Sequence, residues 1–317
     1  MTSPSVTAGE AAAGERAAIA AGAVCYFFWG FLALLFKAAA WAGATAMEIV
    51  VWRAVWSLVA AGALIVLTRQ TPALARVFAS PKTLAWLLVS ALLIGGNWSL
   101  FVWSVNAGHT LDASLAYYLT PLFNIAAGML LFRERIGPVG WAAIGLAALG
   151  VGAETVAHGT LPLVALGMAA SFGLYGIVRK RVEVDAQTGL FVECLILSVP
   201  ALAAGVWLQS SGQGHAAQPL AGSLLVLCGP ATAAPLIVFA WAVRRMPMST
   251  LGFLQFIAPT VQFFIGLASG ERLSTLGLVG FGFIWAGVIV YAVTVWRVAR
   301  RYRGQVSGEA ARTSPAR

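Results

Sequence analysis

The chain has 317 residues, of which 60% are hydrophobic and only 10% charged, with a formal net charge of +9. A soluble domain carries about 25% charged residues, so this composition cannot clothe a water-facing surface and excludes an ordinary soluble enzyme or binding module. The positive balance is not a nucleic-acid footprint either: most Lys and Arg stand in short clusters between apolar runs, the pattern that membrane insertion selects.

Apolar stretches near 20 residues long recur along the chain, each able to cross a hydrocarbon core of about 30 Å. They run over 17–37, 46–67, 83–104, 113–132, 138–157, 161–178, 186–207, 220–243, 248–268 and 274–296. Pro138 and Pro162 open two of them, where proline costs no helical hydrogen bond. The fold class predicted is an all-α membrane protein of ten transmembrane helices, with a short tail over 1–16 and a basic tail over 297–317. Cys25, Cys194 and Cys228 lie within apolar segments and form no C-x-x-C pair, so they read as buried small hydrophobes, not as a disulfide or metal set.

Charge placement predicts the orientation. With a cytoplasmic N-terminus, 17 of the 20 basic residues fall on the inside, among them Arg69, Arg76 and Lys82, then Arg133 and Arg135, then Arg179, Lys180 and Arg181, then Arg244 and Arg245. Lys37 and Arg272 are left outside, and Arg53 lies within a span. Both termini are therefore expected in the cytoplasm of a bacterial cell, with the chain in the inner membrane and an even number of spans.

Ten spans divide into five plus five, residues 17–157 and 161–296. Five is odd, so a duplicated half would enter the membrane upside down and give an inverted repeat. Aligning Pro121 with Pro259 places Tyr117 on Gln255 and Asn124 on Gln262, in the fourth and ninth spans. A mid-span proline bends the helix and frees the carbonyl four residues earlier, here those of Tyr117 and Gln255. Residues seven apart share a helix face, so Tyr117 with Asn124, and Gln255 with Gln262, form matched polar stripes. Interrupted helices at matching positions point to a transporter's midplane site. The plainer reading is two proline kinks whose polar groups bond neighbouring helices.

Gly95-Gly96-Asn97 in the third span and Gly229-Pro230 with Pro235 in the eighth form another matched pair. A buried amide such as Asn97 needs hydrogen-bond partners. Trp29-Gly30 and Tyr175-Gly176 put an aromatic beside a glycine in the first and sixth spans, fit to wall a pocket or simply to pack. Small-residue stripes such as Ala143/Ala147 and Gly282/Ala286 fit internal helix packing, with a homodimer as the alternative.

Two charges lie about seven residues into their spans, Arg53 in the second and Glu193 in the seventh, and the repeat makes them counterparts. Intramembrane charge is costly and faces the bundle interior or water. Arg53 is expected to attract an anionic substrate group, and Glu193 to act as a proton-coupling or gating carboxylate, against the plainer reading of a structural hydrogen bond. A direct Arg53–Glu193 salt bridge would need both side chains to reach across the midplane. Glu48, near a helix end, reads as an interfacial charge, and His109 with Asp112 as a solvated loop pair. No metal-ligand spacing, catalytic triad or phosphate-cradling loop appears, so no cofactor, ATP hydrolysis or enzymatic activity is expected.

At these residues the chain resembles the EamA family of the drug/metabolite transporter superfamily. The resemblance rests on Ile94-Gly-Gly-Asn-Trp, Trp103-Ser-Val-Asn106, Asp112-Ala-Ser-Leu-Ala-Tyr117 and Phe132-Arg-Glu-Arg. It continues through Tyr175-Gly-Ile-Val-Arg-Lys180, Ala186-Gln-Thr-Gly189, Ser249-Thr-Leu-Gly-Phe253 and Ala258-Pro259-Thr260, and covers roughly residues 17–300. It implies two inverted five-helix repeats around a central cavity, and movement of small metabolites or drugs without ATP hydrolysis. The expectation is a secondary transporter, an exporter, with a small molecule and the lipid bilayer as partners. A non-transporting membrane sensor or assembly partner is the alternative. Trp29, Asn97, Tyr117, Asn124, Tyr175, Gln255 and Gln262 are the expected substrate-facing residues.

Overall fold

The computed structural model of the chain describes residues 8–132, 137–243, 254–290 and 293, and every regular element among them is a helix. In chain order these are α1 Ala8–Trp41, α2 Ala46–Leu67, α3 Thr71–Phe78, α4 Pro81–Asn106, α5 Thr110–Phe132, α6 Pro138–His158, α7 Leu163–Arg181, α8 Ala186–Ser210, α9 Pro219–Val243, α10 Ile257–Ala268 and α11 Thr275–Val290. Four contain stretches long and apolar enough to cross a membrane: Ala17–Trp41, Ala46–Leu67, Pro81–Asn106 and Ala186–Ser210. Shorter apolar helical stretches follow in α6, α7, α9, α10 and α11.

Local chemistry sets the helix ends. Thr45 and Glu48 close a capping box on α2, the Thr45 hydroxyl accepting from the Glu48 amide at 3.2 Å and the Glu48 carboxylate from the Thr45 amide at 3.0 Å. That satisfies two of the amides every helix N-terminus leaves orphaned. Ser80 caps α4, with Pro81 in its first turn, and Asp185 caps α8 through the amides of Gln187 and Thr188. The short helix α3 replaces the plain polar loop that residues 68–82 suggest. Pro72 opens it, Arg76 faces its C-terminal end, and Leu74 with Val77 pack into a cluster holding Leu87 and Val178. Helix α1 begins at Ala8, inside the expected tail. The ninth expected span is helical from Ile257 and the tenth to Val290; residues 133–136, 244–253, 291–292 and 294–317, with Glu134, Arg135, Arg244, Arg245 and the basic tail, lie outside the described residues.

The bundle is apolar outside as well as inside. On α1, Phe27, Phe31 and Leu34 are exposed while Ala33 and Phe36 are buried; on α8, Val199, Val206 and Trp207 are exposed. A helix apolar on both faces suits a surface that meets lipid rather than water. One large core cluster holds Phe36, Ile49, Phe101, Tyr118, Phe263 and Phe281.

The most extensive helix contacts join early helices to late ones. Helix α2 crosses α8 and α9, α1 lies on α9 and α10, α7 on α4 and α5, and α5 meets α10. Glycines permit the closest crossings. A Cβ on Gly30 of α1 would stand 3.2 Å from the Ala258 carbonyl of α10, and one on Gly229 of α9 would overlap the backbone of Trp56 on α2. The expected small-residue stripe is used within the chain: Ala143 and Ala147 are buried, and a Cβ on Gly280 or Gly287 of α11 would stand 3.0 Å from the Gly150 or Ala143 carbonyl of α6. Gly282, expected on that stripe, instead faces open space, because it lies on the opposite side of α11.

These crossings give a paired test. Gly229→Ala drives a methyl into backbone that cannot move aside, and overpacking costs about 1–3 kcal/mol. Gly176 of α7 has nothing within 4 Å of its Cβ position, so Gly176→Ala gains helix propensity of about 0.5–1 kcal/mol. Thermal unfolding of detergent-purified protein should fall for the first and hold or rise for the second; equal shifts would refute the α2–α9 crossing.

Candidate functional site

The bundle encloses a cavity of about 370 Å³, within the order of size of small-molecule sites. Arg53 and Thr232 mark its deep part, and Arg179, Ala186 and Gln187 its end at the α7–α8 junction, where Ala186 is exposed. Trp98, Phe101 and Phe172 supply much of the apolar wall.

Arg53 on α2 is only 4% exposed. Its Nε donates to the Thr232 hydroxyl at 3.0 Å, and that hydroxyl donates onward to the Cys228 carbonyl at 2.8 Å. The guanidinium carbon lies 4.4 Å from the Trp98 ring centroid and 5.2 Å from that of Phe36. Its Nη1 is buried without a hydrogen-bond partner. Among the described residues no carboxylate pairs with it.

Glu193 on α8 is fully buried and stands just behind the cavity wall. It accepts from the Ser90 hydroxyl of α4 and, at 3.2 Å, from the Tyr175 hydroxyl of α7, and its carboxylate lies 3.6 Å from the Arg179 Nε. Tyr175 and Arg179 themselves line the cavity, so Glu193 is one side chain removed from it. Its ion-pair partner is Arg179 and not Arg53. Charge placement puts Arg179 in a basic cluster on the cytoplasmic side, after the sixth span. It belongs instead to the last turn of α7 and turns inward, held also by the Asp185 carbonyl at 3.2 Å. Gly189 makes the room: a Cβ there would overlap the guanidinium.

The other expected residues divide. Trp29, Asn97, Tyr117, Tyr175, Gln255 and Gln262 all line the cavity. Asn97 spends its amide nitrogen on the Met168 carbonyl at 3.0 Å and the Ser171 hydroxyl at 3.2 Å, tying α4 to α7. Gln262 keeps its Oε1 buried and without a partner. Pro259 lines the cavity but does not kink a continuous helix. The chain turns at Gln255–Phe256 and α10 starts at Ile257, so Pro259 sits in a first turn, where amides have no helical acceptor anyway. Pro121 and Asn124 fall on α5, but their side chains are outside the described residues. Tyr117 meets Phe101 and Phe172 edge-on, with centroids 5.7 and 6.1 Å apart.

At the other end of the bundle two carboxylates staple loops together. Glu48, expected at the interface, is fully buried, because the α8–α9 loop folds over it. It accepts from the His215 backbone amide at 2.5 Å and pairs with the His215 Nδ1 at 2.8 Å. Glu271, ahead of α11, accepts from the Thr110 and Leu111 amides, each at 2.9 Å, and from Lys37 at 3.4 Å. The first turn of α5 is thus capped in trans. His109 and Asp112 form a half-exposed pair at 3.3 Å, as a solvated loop pair would.

Sequence reasoning missed Arg179, Trp98, Phe172 and Thr232. Arg179 carried a signal in the glycine ten residues later, but only the α7–α8 turn brings the two together. The others are ordinary apolar or small residues whose inward orientation depends on which helices surround them.

Comparison with known proteins assigns the class. The model of the EamA-like transporter family matches this chain twice, over residues 16–153 and 161–293. The chain belongs to that family and is a multi-pass membrane transporter of the RarD type. The Escherichia coli K12 "Protein RarD" is 38% identical over 279 residues, covering 87% of this chain and 94% of that protein. An "Uncharacterized transporter" of Vibrio cholerae is 42% identical over 271 residues, covering 84% and 89%. A crystal structure covering 89% of this chain and 99% of its own superposes with a TM-score of 0.57 at 18% identity, a likeness of fold alone.

The Glu193 network yields a graded prediction. Removing one partner of a buried ion pair costs about 3–5 kcal/mol because the other charge is left uncompensated. Glu193→Ala should lower detergent-phase thermal stability strongly, Glu193→Gln less, since the amide oxygen can still accept from one of the Ser90 and Tyr175 hydroxyls and its NH2 can donate to the other. Equal stability of both with the unaltered protein would mean that Arg179 does not depend on Glu193.

Proposed function

We propose that the chain is a secondary transporter that moves a small metabolite or drug across the bacterial inner membrane by alternating access, and that it works as an exporter. The observation that carries this is the contrast between the two ends of the bundle. The cavity reaches an exposed residue at the α7–α8 junction, while Glu48 with His215 and Glu271 with Lys37 close the far end. That is the arrangement of a carrier open on one side.

Two inverted five-helix repeats, spanning 17–157 and 161–296, account for the double family match and for the contact pattern. Exchanging α1 with α7, α2 with α8, α4 with α9 and α5 with α10 maps the α1–α9 contact onto α7–α4, α5–α7 onto α10–α1, and α2–α9 onto α8–α4. Under that exchange the closed and open ends swap by rocking one half against the other. The basic clusters assign the open end and both termini to the cytoplasm. Trp29, Asn97, Tyr117, Tyr175, Gln255 and Gln262 face the cargo in this reading. Glu193 is the coupling group: taking up a proton removes the partner of Arg179 and changes the charge of the wall, while Ser90, Tyr175 and Arg179 surround it.

Flux into proteoliposomes tests the reading. A panel of amphenicols, amino acids and small organic acids should include a compound whose accumulation follows an imposed pH gradient and loses that dependence in Glu193→Gln. No flux of any compound by folded protein would favour a membrane sensor or assembly partner. Flux that ignores both the gradient and the Glu193 change would remove proton coupling and leave transport standing.

A further inference from the structure

The cavity carries an unbalanced charge. Of the charged residues lining it, Arg179 has its counter-ion in Glu193, 3.6 Å away. Among the described residues Arg53 has only neutral company: a threonine hydroxyl on Nε, two aromatic rings at 4.4 and 5.2 Å, and nothing on Nη1. An unpaired charge taken from water is costly, and cation–π contacts return only part of that cost. Arg53, 4% exposed and lining the cavity with one donor unpartnered, is suited to an anionic group. One unmatched positive charge calls for one negative charge.

The walls around it describe the rest of the ligand. Trp98 lies beside the guanidinium, and Phe101, Tyr117 and Phe172 form a run of edge-to-face rings further along the cavity. Such rings offer faces and edges to a flat apolar body and few hydrogen bonds to a sugar-like one.

Resting on the transporter reading of this cavity, we propose that its cargo is a small organic monoanion with a flat, aromatic body, its anionic group paired with Arg53 and its ring against Trp98, Phe101 and Phe172. Charge-assisted bonds to guanidinium are roughly twice as strong as neutral ones, so the anion and its neutral isostere should be separable by affinity alone.

The test is equilibrium binding to the full chain in detergent, which needs no transport. The probes are radiolabelled 3-phenylpropanoate, with its primary amide and acetate as competitors. The amide should compete at least about tenfold more weakly than unlabelled 3-phenylpropanoate, as loss of a charged contact of about 1.4 kcal/mol dictates. Acetate, which lacks the ring, should compete weakly too. Arg53→Gln should abolish the preference for anion over amide, and Arg53→Lys should keep it in part. Should Arg53→Gln fail to fold, the comparison of anion and amide on the unaltered protein decides by itself. Equal competition by the amide, or no binding of 3-phenylpropanoate up to its solubility limit, overturns the proposal. Anion-selective binding without flux would sustain the ligand class while removing the transport reading; flux of neutral compounds unaffected at Arg53 would do the reverse.

Discussion

In a bundle whose outer surface faces hydrocarbon, no water is at hand to complete a polar group, so each donor and acceptor must find its partner within the chain. Much of this structure follows from that requirement. The N-terminus of α5 cannot rely on solvent, and its first amides are met by Glu271 from a loop more than 150 residues away in sequence. Glu48 does double service, closing its own capping box and holding the backbone and ring of His215. Glu193, the deepest carboxylate, draws a hydroxyl from α4, a phenol from α7 and a guanidinium from the end of α7. The Glu271 contacts to α5, the Glu48 contacts to His215 and the Ser90–Glu193 bond each join an early helix to a late helix or loop.

Arg53 departs from the rule, and its departure gives the cavity its character. Rings and a hydroxyl occupy part of the guanidinium, its Nη1 is buried without a partner, and the residue lines the cavity. Where burial leaves a charge uncompensated, the free energy that the fold forgoes is available to a ligand that brings the missing charge. Glu193 supplies the contrast: its charge is already answered by Arg179. The proposed repeat therefore yields a pair of matched positions with opposite sign and opposite states of satisfaction, one suited to cargo and the other to coupling.

The two ends of the bundle express the same economy in different ways. At the α1–α2 end, carboxylates reach across to loops from the other half, and breaking those contacts would expose both the acid and the amides it serves. At the α7–α8 junction the polar side chains are turned inward along the cavity, with Gln187 at its edge. An end closed by a few charge-assisted contacts can open without unpacking the apolar core, because Phe36, Ile49, Phe101 and Phe263 pack in the body of the bundle.

The sequence by itself determined the membrane class, the all-helical architecture, nearly every helix position and part of the cavity lining, with Arg53, Asn97, Tyr117 and Gln262 in it. Apolar run length, proline placement and the scarcity of charge are local properties, and hydrocarbon imposes its demands residue by residue. Arg53 and Glu193 were legible for the same reason, as charges where charge is costly. Only the tertiary structure decided the pairings. That Glu193 takes Arg179 and not Arg53, that Glu48 is buried beneath His215, and that α10 begins after a turn at Gln255–Phe256 all depend on contacts between helices far apart in the chain. Spacing along one helix says which side chains share a face; it carries no information about which other helix that face will meet.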